Sequence, residues 1–398
     1  MTPPDPGQGA GRAQIAFVGA GGFISAFHLL TARDSDAMEI RTIADLDESI
    51  LEKHSSRLAV GYTTTDYERV LADPEVDIVI IGTKQDLHSR IIIESLDAGK
   101  WVHCEKPMAE TREEGAAVIA AEDRNPGRLS IGFNRRFAPA YAEAKRLMQS
   151  TGRPWFIDYR LMAPNLNKEK ATREYYAKRE RILYEGTHIL DLMYWLLEAA
   201  PQRVFMTGDR CFNNCCLLEY ADGSRVSFLC GSMGSHCFGK EHMDLFAEYT
   251  TISIDEFVDM KVRGFKGEYD RVFPPYLGEH AEAVRRYGLD FYETYKVDRM
   301  LRDRSLVDFC DEMKVVIEEV RRPTEQAFDA ADYSPVHPDL WSFSPDKGWV
   351  QSIEHFVQCY LTGETPQNAD ARAGAISTDL ALALLQSLES GQPVGFSV

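Results

Sequence analysis

Apolar positions in the first third of the chain fall into short runs separated by amphipathic stretches of helical spacing. The runs at 14–18, 39–44, 76–81, 101–104 and 129–133 read as buried strands, and the stretches at 23–31, 48–57, 89–98 and 111–122 as helices. Strands alternating with helices predict a parallel, doubly wound α/β sheet. Beyond residue 133 the rhythm changes. A helix over 139–149, a strand over 155–163 and an amphipathic helix over 187–198 come first. Strands with short turns then follow at 203–208, 215–220, 224–230, 242–247 and 257–262. Ala221-Asp222-Gly223-Ser224 is a hairpin turn signal, and the set predicts an α+β domain on an open, mostly antiparallel sheet. Residues 264–346 are rich in charged and aromatic side chains and carry one helical pattern at 301–321. Two helices, 349–361 and 371–388, close the chain. The expected organisation is a disordered tail over 1–13, a nucleotide-binding domain over 14–133 and an α+β domain over 134–398.

Length and composition narrow the function classes. A chain of 398 residues exceeds what one hydrophobic core usually organises, which fits two domains. A net charge of −18 argues against nucleic acid and anionic membranes as partners, since both require basic patches. No apolar run reaches membrane-spanning length, and the Pro- and Gly-rich start reads as a tail rather than a signal peptide, so the expected location is the cytoplasm. Cys211, Cys215 and Cys216 cluster, but no paired C-x-x-C spacing completes a metal site. They are expected to be reduced, buried and metal-free.

The chemistry is concentrated at strand ends. Gly19-Ala20-Gly21-Gly22 opens the first strand-to-helix switch, where free N–H groups and the helix dipole favour a pyrophosphate. Ile24 stands where the third glycine of that fingerprint would be, which predicts looser helix-to-strand packing. Asp45 ends the second strand, positioned to accept from both ribose hydroxyls and to repel a 2′-phosphate, favouring NAD over NADP. Lys106, within Cys104-Glu105-Lys106-Pro107, follows the fourth predicted strand and is expected to donate to a reacting oxygen. His188 lies in an apolar helical stretch with Glu185 and Asp191 three residues to either side, close enough on one helical face to orient an imidazole. Arg135, Asn165, Asn167 and Lys168 are further polar positions suited to a polyol, with an ordinary surface loop as the competing reading.

Together these residues resemble the Gfo/Idh/MocA family of nicotinamide-dependent oxidoreductases. The resemblance runs through Gly19 to Ile24, Thr83 and His88, Ala98-Gly99-Lys100, Glu105-Lys106-Pro107, Gly132-Phe133-Asn134-Arg135-Arg136-Phe137 and His188-x-x-Asp191. It continues through Gly239-Lys240-Glu241, Asp346-Lys347-Gly348 and the tail from Ser387 to Val394. It implies a Rossmann domain holding NAD through Gly19, Gly21, Gly22, Phe23, Ile24, Asp45, Thr83, His88, Glu105 and Lys106. It also implies hydride exchange with a secondary alcohol of a sugar or cyclitol, with Lys106 and His188 catalytic, and a homodimer or homotetramer. Tyr184, Glu185 and Asp191 are the neighbouring substrate-side positions. Two other readings remain open: a family member that cleaves glycosides by transient oxidation while recycling its NAD, and a non-catalytic nucleotide sensor. The sequence departs from the family pattern in three places. Tyr184 stands where many members have Asp, with Glu185 one place later; Lys84 replaces the usual Pro after Thr83; and a segment at about 266–345 has no counterpart in compact members. Its aromatic residues predict that it packs on a pocket mouth or, preferentially, on a neighbouring subunit.

Overall fold

A computed structural model of the chain describes residues 11–163, 177–233, 239–265, 270–273 and 345–397. Most of the 266–345 segment, its expected helix, and residues 1–10 of the expected tail lie outside the described residues. The chain divides into two compact units. One takes the chain through Phe137 with Leu190–Trp195 and Gly348–Leu382; the other takes Ala138–Ile189, Leu196–Lys347 and Ala383–Val398.

The first unit is a six-stranded parallel sheet. Its strands are β1 (Ala13–Val18), β2 (Met38–Ala44), β3 (Tyr62–Thr64), β4 (Ile78–Ile81), β5 (Trp101–Cys104) and β6 (Leu129–Ile131), in the order β3-β2-β1-β4-β5-β6. The order reverses at β1, the topological switch point of a doubly wound sheet. Successive side chains of the central strands enter opposite cores. Ile15, Phe17, Ile78 and Ile80 pack on one face, and Ala16, Val18, Val79 and Ile81 on the other. All eight are at most 3% exposed, which is why these strands read as continuous apolar runs. Ala13, placed in the tail by the sequence reading, opens β1 and is fully buried.

The helices that follow these strands are α1 (Leu29–Asp34), α2 (Glu48–Ser55), α3 (Tyr67–Ala72), α4 (His88–Asp97) and α5 (Arg112–Arg124). Thr111 and Glu114 close a reciprocal capping box at the start of α5. A helix from far along the chain, Trp349–Thr362, joins the same unit. Its Ile353, Phe356 and Val357 enter the core with Phe17 and Ile80. The sequence reading had assigned this helix to the second domain. Amphipathic spacing reports that a face is buried, but not which sheet buries it.

The second unit is built on a nine-stranded sheet among the described residues. After α6 (Pro139–Met148) come β7 (Phe156–Met162), α7 (Thr187–Leu197), β8 (Arg203–Gly208), β9 (Asn214–Glu219), β10 (Arg225–Gly231), β11 (Glu241–Ala247), β12 (Thr250–Asp255), β13 (Asp259–Arg263), β14 (Asp270–Val272) and β15 (Val394–Gly395). The spatial order is β14-β13-β12-β11-β7-β10-β9-β8-β15, and only β7 and β10 run parallel. One face is buried through Ile157, Tyr159, Leu161, Val226, Phe228, Met243 and Leu245. The opposite face leaves Phe156, Leu217, Leu229 and Phe246 between 41% and 53% exposed.

Two sequence expectations change here. The strand expected at 257–262 is β13, which starts two residues later because Glu256 and Phe257 belong to a hairpin turn that joins it to β12, a strand the sequence did not announce. The turn residues Glu256 and Phe257 have φ of 48° and 64°, a conformation for which hairpins normally use Asn-Gly. Burial of Phe257 and a hydrogen bond from Glu241 N to Glu256 Oε1 hold this turn without glycine. Cys215, expected to be buried, is exposed, because the two-residue period of β9 buries Cys216 and turns Cys215 to the open face. The described cysteines are free.

Candidate functional site

The site residues of the first unit leave the carboxyl ends of neighbouring parallel strands. Gly19 follows β1, Asp45 follows β2, Thr83 closely follows β4, and Glu105 and Lys106 follow β5. This edge beside the switch point is where doubly wound sheets bind their ligands.

The glycine turn is fixed from three sides. Gly19 has φ +84°, and a Cβ there would sit 2.7 Å from Gly82 O, so no other residue fits without displacement. Ala20 N donates to Asp45 Oδ2 at 2.8 Å, while Asp45 Oδ1 accepts from Asp47 N at 3.0 Å. Ser25 Oγ donates to Ala20 O at 2.7 Å and lies 2.9 Å from His54 Nε2 on α2. Gly21 and Gly22 border open space, so a pyrophosphate meets backbone rather than side chain there. The looser packing expected from Ile24 does not occur. Gly82 supplies the missing room: a Cβ at 82 would fall 2.1 Å from Ile24 Cγ1, so the close approach is kept with the small residue on the strand side.

Ile24–His28 forms a π-helical turn, closed by Leu29 N donating to Ile24 O, and runs directly into α1. Phe23 just ahead of it is 38% exposed and stacks edge-on to Trp349, with ring centroids 5.6 Å apart. The extra residue of a π turn re-aims the side chains that follow it. His28 is thereby buried at 1% exposure with Nε2 at 2.7 Å from Glu105 Oε1. Burial opposes ionisation of Glu105. The hydrogen bond from His28 and the positive charge of Lys106 oppose that, and the carboxyl lies below its ordinary value. Gly132 lies against this carboxylate; a Cβ there would be 3.1 Å from Oε1 and Oε2.

His88, expected among the cofactor-binding residues, braces two loops of the site. Its Nδ1 is 2.8 Å from Pro107 O and its Nε2 is 3.3 Å from Thr83 O. Burial keeps it neutral by lowering its pKa, so we assign the ring hydrogen to Nδ1, facing the nearer carbonyl. Arg135 is 3% exposed, which removes the surface-loop reading for that residue. Its neighbour Arg136 forms a bidentate pair with Asp191, Nε to Oδ2 at 2.9 Å and Nη2 to Oδ1 at 2.5 Å. Both oxygens of Asp191 thus accept from one guanidinium.

In the second unit His188 is 9% exposed on α7. Glu185 lies in the preceding π turn, Ile182–Gly186, with Oε2 3.6 Å from Lys240 Nζ. The Tyr184 ring lies 5.0 Å from the Arg179 guanidinium carbon. Asn165, Asn167 and Lys168 lie outside the described residues. Sequence reasoning missed His28, His54, Arg136 and the Asp45-to-turn hydrogen bond. A histidine within an apolar helix beginning at the glycine turn was the available signal for His28.

The residues present fit a nicotinamide dinucleotide: glycines open to a pyrophosphate, and a carboxylate with lone pairs left for a ribose. Residues 13–133 match the family described as "Oxidoreductase family, NAD-binding Rossmann fold". Inositol 2-dehydrogenase of Salmonella typhimurium (strain LT2) is 30% identical over 184 residues, 44% of this chain and 52% of that protein. Inositol 2-dehydrogenase/D-chiro-inositol 3-dehydrogenase of Lactiplantibacillus plantarum is 28% identical over 199 residues, 48% of this chain and 55% of that protein. The chain therefore spans about half the length of the curated relatives it matches. A crystal structure of an oxidoreductase from Agrobacterium radiobacter in complex with NAD+, L-tartaric acid and magnesium shares the fold. Its TM-score is 0.72 at 16% identity, covering 97% of this chain and 98% of that one. Residues 13–133 are thus a Rossmann domain of the kind found in the Gfo/Idh/MocA oxidoreductase family.

Proposed function

We propose that the protein is an NAD-dependent dehydrogenase acting on a secondary alcohol of a cyclitol or sugar derivative. The observation that carries this reading is the alignment of Gly19, Asp45 and Lys106 at the carboxyl ends of β1, β2 and β5, with an ionised Glu105 beside the lysine. Bound NAD supplies the hydride acceptor. Lys106 donates to the reacting oxygen, and His188 takes the hydroxyl proton in the oxidative direction. The two relatives named as inositol dehydrogenases make inositols the first substrates to try. A screen of inositols and free sugars, followed by NADH absorbance, is expected to give turnover with at least one cyclitol or pyranose. Asp45, already holding the glycine turn, makes NAD the better cofactor by at least tenfold in kcat/KM. No turnover with any polyol ends the reading, and a preference for NADP ends the role given to Asp45.

We further propose that the open face of the second unit's sheet joins two copies of the chain. Phe156 pairs directly across from Phe246, and Leu229 on β10 and Leu217 on β9 lie on the same face, with Arg225, Ser227 and Asp158 between the two pairs. Four large apolar side chains about half exposed on one sheet face form a patch of the kind that marks association surfaces. Light scattering is expected to report two or four chains for the wild type and fewer for Leu217→Glu/Leu229→Glu. A wild-type mass of one chain overturns this assignment.

A further inference from the structure

His28, His103 and Glu105 bring two imidazoles and a carboxylate together, with donor atoms all within 4.8 Å of one another. Such a set invites a metal reading. The distances favour a proton instead. Two ligands of one tetrahedral zinc sit about 3.3 Å apart, given bonds of about 2.0–2.1 Å. His28 Nε2 and Glu105 Oε1 are 2.7 Å apart, which is the length of a charge-assisted hydrogen bond.

The rest of the cluster limits where charge can reside. His103 is 2% exposed, and burial together with the neighbouring His28 lowers its pKa to about 3, so it is neutral throughout the working range. Its Nδ1 faces Ser130 Oγ at 2.9 Å. Among the described residues, His28 Nδ1 and His103 Nε2 are buried with no hydrogen-bond partner. A proton on His28 Nδ1 would be a buried donor with nothing to bond, so the neutral ring carrying its hydrogen on Nε2 fits best. That hydrogen points at Glu105. Glu105 Oε2 in turn approaches Lys106 N at 3.4 Å. The titratable groups around this carboxylate are His28 from the π turn, His103 and Cys104 from β5, His88 from α4, and Lys106 itself.

We propose that His28 is a positioning residue for the reaction: its Nε2–H holds the Glu105 carboxylate ionised and fixed beside Lys106, as the counter-charge of the ammonium. This rests on the functional reading given above. The sign of the pH effect follows from the balance at Glu105. Its folded pKa is depressed, so the carboxylate is present at neutral pH and is lost only as pH falls through that low value. Without the donor, burial remains and pushes protonation upward.

The experiment uses His28→Leu, which removes the donor, and His28→Gln, whose amide nitrogen reaches the place of Nε2. In kcat/KM against pH, the acid limb of His28→Leu is expected to move up by about one pH unit or more. The alkaline limb stays in place, and His28→Gln restores most of the shift. A fall in activity equal at every pH, or no rescue by glutamine, overturns the proposal, since a packing defect would do that. A second readout needs no substrate. In protein labelled with 13C at the glutamate carboxyl, the resonance lost in Glu105→Gln is expected to titrate below the usual carboxylate range in the wild type and above it in His28→Leu. Absence of that difference overturns the proposal. If the difference is present but no polyol is turned over, only the functional reading fails. One equivalent of zinc retained by the purified wild type and lost in His103→Ala also overturns it, in favour of a metal site.

Discussion

Lys106→Ala is expected to lower kcat by about 10²–10⁴, and His188→Ala to do the same, the range for loss of a positioned proton-transfer group. NAD affinity should change little in either variant. The glycine turn, Asp45 and the π turn are organised by hydrogen bonds that include neither side chain. If both groups serve one oxygen, the double variant loses far less than the product of the single losses, because residues that act as a unit are not additive. Steady-state kinetics together with an equilibrium NAD titration separate the cases. Near-normal kcat in either single variant refutes the assignment of that residue. A large rise in KM with kcat unchanged would instead make it a substrate contact.

The parts of the fold that were legible in the sequence are those where one physical constraint dominates. β4 and β5 are buried on both faces, so their composition alone marks them as parallel strands. Gly19 and Asp45 were legible because a strand end next to a tight turn needs those residue types. β12 was missed because its hairpin turns carry no glycine or proline: Tyr249 at φ 60° and the Glu256-Phe257 pair take positive φ under tertiary control. β3 was missed because three half-buried residues, Tyr62–Thr64, are too short to show a period. His28 illustrates the limit at the site. Regular helical spacing from Gly19 would give it a different direction, and only the π turn aims it at Glu105. Ile24 shows the reverse case, a broken fingerprint repaired by a glycine on another strand.

The motifs Gly239-Lys240-Glu241 and Asp346-Lys347-Gly348 carried part of the family resemblance without an assigned role, and the structure joins them. Glu241 is fully buried on β11, with Oε1 accepting from Lys347 Nζ at 2.7 Å and Oε2 from Tyr159 OH at 2.6 Å; Tyr141 OH lies 3.0 Å further along. Lys347 also lies over the Phe257 ring at 4.8 Å, so it steadies the strained turn that Glu256 ties to Glu241 N. Lys347→Ala strands a buried carboxylate and is expected to cost about 3–5 kcal/mol, a large share of the stability of a domain this size. Replacing both partners, as Lys347→Met with Glu241→Gln, removes the charge along with its counter-charge. It should recover most of that loss, because a buried pair is often worth little against neutral groups of similar shape. Urea denaturation followed by tryptophan fluorescence reads both. Equal destabilisation of the single and the double variant would mean that Lys347 acts through its packing on Phe257 rather than through its charge. A single variant as stable as wild type would mean that water reaches Glu241.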